Sequence, residues 1–165
     1  MSERLEVQRT IGAPAADIFA VLCDPHGHLA IDASGMLQDV EGSPVNAVDD
    51  EFLVHMNRES LGDIDWTTYD VTVHITAYEQ DRLIAWRIVG RMKPPIGHVY
   101  GYRLEPAAET EAGAGGTLVT SFYDWSEIDP HWRGVIGFPI ISEVNLKATL
   151  GILDRVVRHG YPGRA

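Results

Sequence analysis

The sequence predicts an α+β fold: a run of antiparallel strands, with short helices near its start and one long helix at its end. Three observations predict it. From Met36 to Asp129 apolar residues recur mainly at every second position. Over Pro14–Cys23 and over residues 144–157 they recur at every third or fourth. The 165 residues, 45% hydrophobic and 22% charged, match the usual size and composition of one globular domain spanning residues 1–165.

The elements follow in order. Leu5, Val7, Arg9 and Ile11 alternate with Arg4, Glu6, Gln8 and Thr10, a strand pattern that Gly12 and Pro14 end. Ile18, Phe19, Val21 and Leu22 then fall at helical spacing, with Pro14 suited to a first turn and Asp17 favourable near the N-terminal dipole. Asp24-Pro25 closes that helix, and HGHLAIDASG reads as a short helix or loop ending at Gly35. Strands are expected at Met36–Glu41, Asp50–Arg58, Thr67–Gln80, Arg82–Gly90, Gly97–Pro106 and Gly116–Glu127. Turn-forming residues separate them, and the low-complexity stretch Glu109–Gly116 reads as a flexible hairpin connection. In the last region Val144, Ala148, Ile152 and Val156 form one helical row, and Leu146, Leu150, Leu153 and Val157 another. So wide an apolar arc predicts a deeply packed helix, stopped near Gly160 and Pro162.

Composition narrows the function. With 24 Asp plus Glu against 13 Lys plus Arg, the net charge of −11 argues against nucleic acid and anionic membrane surfaces as partners. The single Cys23 allows no intrachain disulfide, no signal-peptide pattern opens the chain, and no apolar run is long enough to span a bilayer. A cytoplasmic protein is the expectation. No glycine-rich phosphate loop or nucleophile elbow is present, so neither a nucleotide site nor a serine nucleophile has support.

The segment VQRTIGAPAADIFAVLCDPHGHLAIDASG (7–35), together with RLIAWRI (82–88), VYGYRLEP (99–106) and GTLVTSFYDW (116–125), resembles the START-like, or SRPBCC, superfamily of Bet v 1-like helix-grip proteins. Within it, the chain is similar to the bacterial polyketide cyclase/dehydrase and lipid-transport branch. The resemblance implies a curved antiparallel sheet gripping the C-terminal helix, two short helices after the first strand, and a tunnel that accepts a lipid, polyketide or sterol-like molecule. Many members carry a Trp in the second short helix; this chain has HGHLAIDASG there, which implies an altered aromatic wall.

Candidate residues follow from strand parity. Ile84, Trp86 and Ile88 share one face, as do His98, Tyr100, Tyr102 and Leu104 on the next strand. On the last strand Leu118, Thr120, Phe122 and Asp124 oppose Val119, Ser121, Tyr123 and Trp125. Trp86, His98, Tyr100, Tyr102 and Phe122, with Asn145, Thr149 and Ile152 of the last helix, are the candidate ligand-binding set, although such an aromatic stripe is more often plain core than a ligand wall. His55 is ambiguous, because Leu53 shares its parity, while His74 reads as outward. His26 and His28, beside Asp24 and Asp32, have too loose a spacing for a metal centre, so no metal is expected and the segment reads as a loop at the pocket rim.

The leading expectation is therefore a binding protein for a small hydrophobic ligand, monomer or homodimer, with no cofactor. An aromatase/cyclase-type enzyme is the alternative, with Asp32, His55, Tyr100 and Asp124 as proton-handling candidates. A ligand-free interaction module is a third. The stretch His131–Ile141 is expected either to cap the tunnel or to meet another subunit.

Overall fold

The computed structural model describes residues 2–108 and 115–163, so most of the Glu109–Gly116 connection lies outside the described residues. The strands are β1 (Arg4–Ile11), β2 (Leu37–Glu41), β3 (Glu51–Asn57), β4 (Thr68–Glu79), β5 (Leu83–Val89), β6 (Val99–Pro106) and β7 (Thr117–Asp124). Between β1 and β2 lie α1 (Ala15–Cys23) and α2 (Pro25–Ile31); a 3₁₀ turn at Pro130–Trp132 and the long α3 (Glu143–His159) follow β7. All seven strands form one antiparallel sheet in the order β1-β7-β6-β5-β4-β3-β2. Register shifts at Leu37/Asp39 and Ile75/Ala77 increase its twist, and α3 lies on the concave face against β1 and β7. This is the helix-grip α+β architecture. Most strand ends lie one or two residues inside their expected limits, β2 and β6 end where expected at Glu41 and Pro106, and β7 stops three residues short of Glu127, because only residues with a ladder partner pair.

Local chemistry accounts for the two short helices. Asp24 closes α1 and caps α2, its Oδ1 accepting from the His26 N–H at 2.9 Å, and Pro25 occupies the first turn of α2. Oδ2 of the same carboxylate accepts from the Tyr161 hydroxyl at 2.7 Å, tying the segment after α3 to this junction. The two helices touch at Gly27: a Cβ placed there would stand 1.9 Å from the Val21 carbonyl oxygen. Cys23 is buried at the end of α1, where burial pushes its thiol up to about 11, as befits a core residue.

α3 differs from the expectation. Leu146, Leu150, Leu153 and Val156 are buried, but Val144 is 76% exposed and Ala148 is also at the surface. The sheet contacts one side of the helix only, so half of the wide apolar arc meets solvent. On the covered side Arg9, which shares β1's inward parity, donates from Nε to Asp154 Oδ2 at 2.9 Å, and Arg158 Nε donates to Oδ1 at 2.7 Å. Burial pushes the Asp154 carboxyl up, but these two guanidinium groups outweigh it and the pKa is lowered. Asp154→Ala should destabilise the protein by about 1–2 kcal/mol, read as a lower urea midpoint, since both arginines reach water once released. An unchanged midpoint would show that α3 is held by its leucines alone.

Candidate functional site

Between the concave face and α3 lies a cavity of about 230 Å³. Strand parity builds its walls. The register pairs Met56 with Tyr69, Val54 with Val71, Ile75 with Trp86, and Trp86 with Tyr100, so β3 to β6 present these residues on one face. Trp86 is nearly parallel to Tyr100 (interplanar angle 16°) and inclined by 30° to Tyr102, at centroid distances of 6.2 and 5.9 Å, so the three rings stack loosely along one wall. Loop residues Ser34, Trp66, Arg91, Pro95 and Ile140, all partly or fully exposed, rim one end. His28, Ile31, Val54 and Val73 are buried and line the other.

The polar groups differ in how far their capacity is used. Asp32 accepts from the Ser34 N–H (2.9 Å), the Ser34 hydroxyl (2.6 Å) and the Leu37 N–H (3.1 Å), so its carboxylate shapes the turn after α2. The Thr149 hydroxyl donates to the Asn145 carbonyl at 3.0 Å, whereas the Asn145 side-chain amide has no bond to protein. Arg58 donates twice to Asp63, at 2.8 and 2.6 Å, and to the Tyr69 hydroxyl at 3.2 Å. Burial works against its charge, but these bonds hold the guanidinium protonated.

His28 is 8% exposed, and its Nε2 lies 2.7 Å from the Leu22 carbonyl oxygen. Its ring meets Phe52 and Trp86 edge-on at 5.0 and 4.8 Å. His98 is 6% exposed, with Nδ1 2.8 Å from the Tyr123 hydroxyl. Burial lowers the pKa of both imidazoles to about 4, outweighing the Leu22 carbonyl and Asp24 for His28 and aided by the Arg58 charge for His98. The phenols of Tyr100, Tyr102 and Tyr123 are pushed upward, chiefly by burial, and remain donors.

Trp86, His98, Tyr100, Tyr102, Asn145, Thr149 and Asp32 are thus brought together around one cavity. His55, Asp124 and Ile152 are not. His55 points outward, its side chain 37% exposed and clamped by Asp70 (2.7 Å) and Glu41 (3.0 Å), because Val54 and Met56 take the inward positions. Asp124 lies on the outer face, held by Arg4 at 3.1 Å and by Ser126. Phe122 borders the cavity, although its ring lies beneath the Arg4 guanidinium at 4.3 Å and fills the space left by Gly101, where a Cβ would fall 2.3 Å from Phe122 Cζ. Ile152 packs half-buried against the core, away from the cavity lining. His74 is outward, between Glu51 and Asp49.

His28 corrects the expected rim loop: it is a core residue on α2, and its ring supplies the aromatic wall there. His26 contributes only its backbone N–H to the α2 cap. Among the described residues no group of three or more His, Cys, Asp or Glu side chains is placed to hold a metal ion. The residues 131–141 bring Ile140 and Ile141 to the cavity, and the Trp132 Nε1–H donates to the Pro94 carbonyl at 2.9 Å, pinning this segment to the β5–β6 loop. Sequence reasoning missed Arg58, Tyr69 and Tyr123, although parity carried the signal. Arg58 continues Phe52, Val54 and Met56, Tyr69 precedes Val71 and Val73, and Tyr123 lies with Ser121.

No protein-family model matches the chain. Among curated proteins it is 26% identical over 150 residues to the uncharacterized protein Rv0088 of Mycobacterium tuberculosis, an alignment covering 87% of this chain and 59% of that protein. The chain thus spans under two thirds of the curated relatives it matches. Among solved structures it is similar to protein CV1439 of Chromobacterium violaceum, with a TM-score of 0.66, 12% identity, and coverage of 94% of this chain and 97% of that one. It is also similar to norcoclaurine synthase of Thalictrum flavum, with a TM-score of 0.60, 15% identity, and coverage of 96% and 95%. These likenesses establish the shared fold. Among the described residues no helix is long and apolar enough to cross a membrane.

Proposed function

We propose that the protein binds one small apolar or amphipathic molecule in the cavity between sheet and α3. The observation that carries this reading is a 230 Å³ space walled by Trp86, Tyr100, Tyr102 and aliphatic side chains, with a few polar atoms left unbonded. A cavity of about 150 Å³ suffices for benzene, so this one suits a ligand of one or two fused rings, and a two-chain lipid overfills it. A molecule that hides roughly 200 Å² of apolar surface gains about 5 kcal/mol before ordering costs, which is enough for specific binding.

The test is calorimetric titration of the intact chain with one- and two-ring aromatics such as indole and naphthalene derivatives. One-to-one binding with a negative heat-capacity change is expected. Thr149→Trp, which fills the cavity from α3, should weaken binding at least about tenfold while leaving the far-ultraviolet circular dichroism intact. Wild-type protein that binds none of the series, or a Thr149→Trp variant that binds as well as wild type, overturns the reading.

Acid–base chemistry of the cyclase type is a second reading, favoured by one observation: the neutral His98 and the Tyr123 hydroxyl, 2.8 Å apart beside Tyr100 at the cavity wall. Of the four proton-handling candidates only Tyr100 stands with them, because His55 and Asp124 face outward and the Asp32 carboxylate is occupied by three donors. This reading requires turnover of a poly-β-ketone that His98→Phe abolishes; turnover that survives the substitution removes it.

A further inference from the structure

The two buried histidines that line the cavity have opposite hydrogen-bonding polarity. A carbonyl oxygen only accepts, so His28 must carry its proton on Nε2 to bond Leu22, and Nδ1 is left with a lone pair. Among the described residues Nδ1 has no hydrogen-bond partner. It is not sealed in, because every fully buried side-chain polar atom among them has a partner. His28 is 8% exposed and lines the cavity.

His98 is the reverse case. A phenol is the stronger donor and an imidazole nitrogen the stronger acceptor, so the Tyr123 O–H donates to His98 Nδ1. His98 then carries its proton on Nε2, which has no hydrogen-bond partner among the described residues. Trp86 and Tyr100 stand between the two histidine rings. His28 sits at the inner end against Phe52, and His98 toward the rim, where Phe138 lies 6.4 Å away. Inside the cavity Arg58 is paired with Asp63 and Asp32 is engaged by three donors, while the remaining lining cation, Arg91, stands at the rim with its guanidinium 4.5 Å over the Trp66 ring.

Resting on the reading of the cavity as a ligand site, we infer that it selects an uncharged, flat, ring-containing ligand. That ligand carries a donor (an alcohol, phenol or N–H) directed at His28 Nδ1 and an acceptor oxygen directed at His98 Nε2–H. Preference for a flat ring follows from the stacked aromatic wall of Trp86, Tyr100 and Tyr102, against which an aromatic ligand can pack. Selectivity follows from the buried lone pair of His28, which a ligand lacking a donor desolvates without replacement.

The probes are 2-naphthol, its isostere 2-methylnaphthalene, 6-methoxy-2-naphthol and the anion 2-naphthoate, titrated calorimetrically into the intact chain at pH 7.5. We expect 2-naphthol to bind about tenfold or more tightly than 2-methylnaphthalene, although the methyl group is the more hydrophobic. We expect 6-methoxy-2-naphthol to exceed 2-naphthol and 2-naphthoate not to bind. His28→Phe should erase the preference for naphthol over methylnaphthalene, and His98→Phe the gain from the methoxy group. Equal binding of 2-naphthol and 2-methylnaphthalene overturns the His28 assignment while the cavity reading stands. Failure of all four to bind overturns both. No gain from the methoxy group, or tight binding of naphthoate, overturns the remaining parts. Should His28→Phe fail to fold, long-range ¹⁵N–¹H spectra of wild type decide: a proton on Nε2, with Nδ1 shifting on 2-naphthol addition, supports the assignment, and a proton on Nδ1 sinks it.

Discussion

Gly27→Ala should lower stability by several kcal/mol, a fall in Tm of roughly 10 °C for a chain of this size. The new Cβ would stand 1.9 Å from the Val21 carbonyl oxygen and 2.8 Å from the Val21 carbonyl carbon, both backbone atoms of α1 that no rotamer change can move aside. Relief requires the two short helices to part. The same close approach lets His28, on the next residue of α2, reach the Leu22 carbonyl at 2.7 Å, so separation also breaks that bond in a buried setting. Gly12→Ala is the control, since a Cβ there meets nothing within 4 Å. Scanning calorimetry of both variants checks the expectation, and a Gly27→Ala protein melting within about 2 °C of wild type would refute the close-packing account.

The protein should also lose stability steeply between pH 6.5 and pH 4. His28 and His98 have their folded pKa lowered from 6.5 to about 4, mainly by burial, so in that interval the unfolded chain binds more protons than the native one. Stability therefore falls as pH falls through the window and is level above it. Each ring contributes about 3 kcal/mol by linkage, and the pair on the order of 5 kcal/mol. His55 and His74 act in the opposite sense. Hydrogen bonds donated to their carboxylate partners raise their pKa, so their contribution is present below 6.5 and fades as pH rises through the raised values. Their exposure to solvent keeps that opposing effect small. The lowered carboxyls of Asp124 and Asp154 matter only below about 4. Urea midpoints at pH 7.5, 5.5 and 4.5 measure the slope, and a flat profile would mean that the rings hydrate before the protein unfolds. Because both rings line the cavity, the folded protein's ligand affinity should hold down to about pH 5 and decline only as pH nears about 4, where protonation removes the His28 lone pair.

The order of elements was legible in the chain because each half-buried strand alternates with period two and each helix with period near three and a half. Tyr100, Tyr102 and Trp86 could be set on one face by counting alone. The setting of Phe122 could not be counted: its ring packs over Gly101 and under Arg4, both brought there by pairing between strands. His55 was undecidable for a related reason, since its strand carries apolar residues on both faces and only its pairing with Asp70 and Glu41 resolves the outer one. Residues 26–35 lacked a clear period because seven residues make two turns of helix, too short for an amphipathic stripe.

By itself the sequence determined that this is an acidic α+β chain with one antiparallel sheet and a long closing helix, because periodicity, turn residues and caps are local properties. Only the tertiary structure decided which polar atoms face the interior, which way α3 turns its wide apolar arc, and that a space of about 230 Å³ remains unfilled. Those depend on register across the sheet and on the distance between layers, set by contacts among residues more than a hundred positions apart, such as Arg9 with Asp154. The same holds for the two histidines. Their residue type is written in the chain, but their neutral state and opposite polarity come from a carbonyl at the end of α1 and a phenol on β7, partners that only folding supplies.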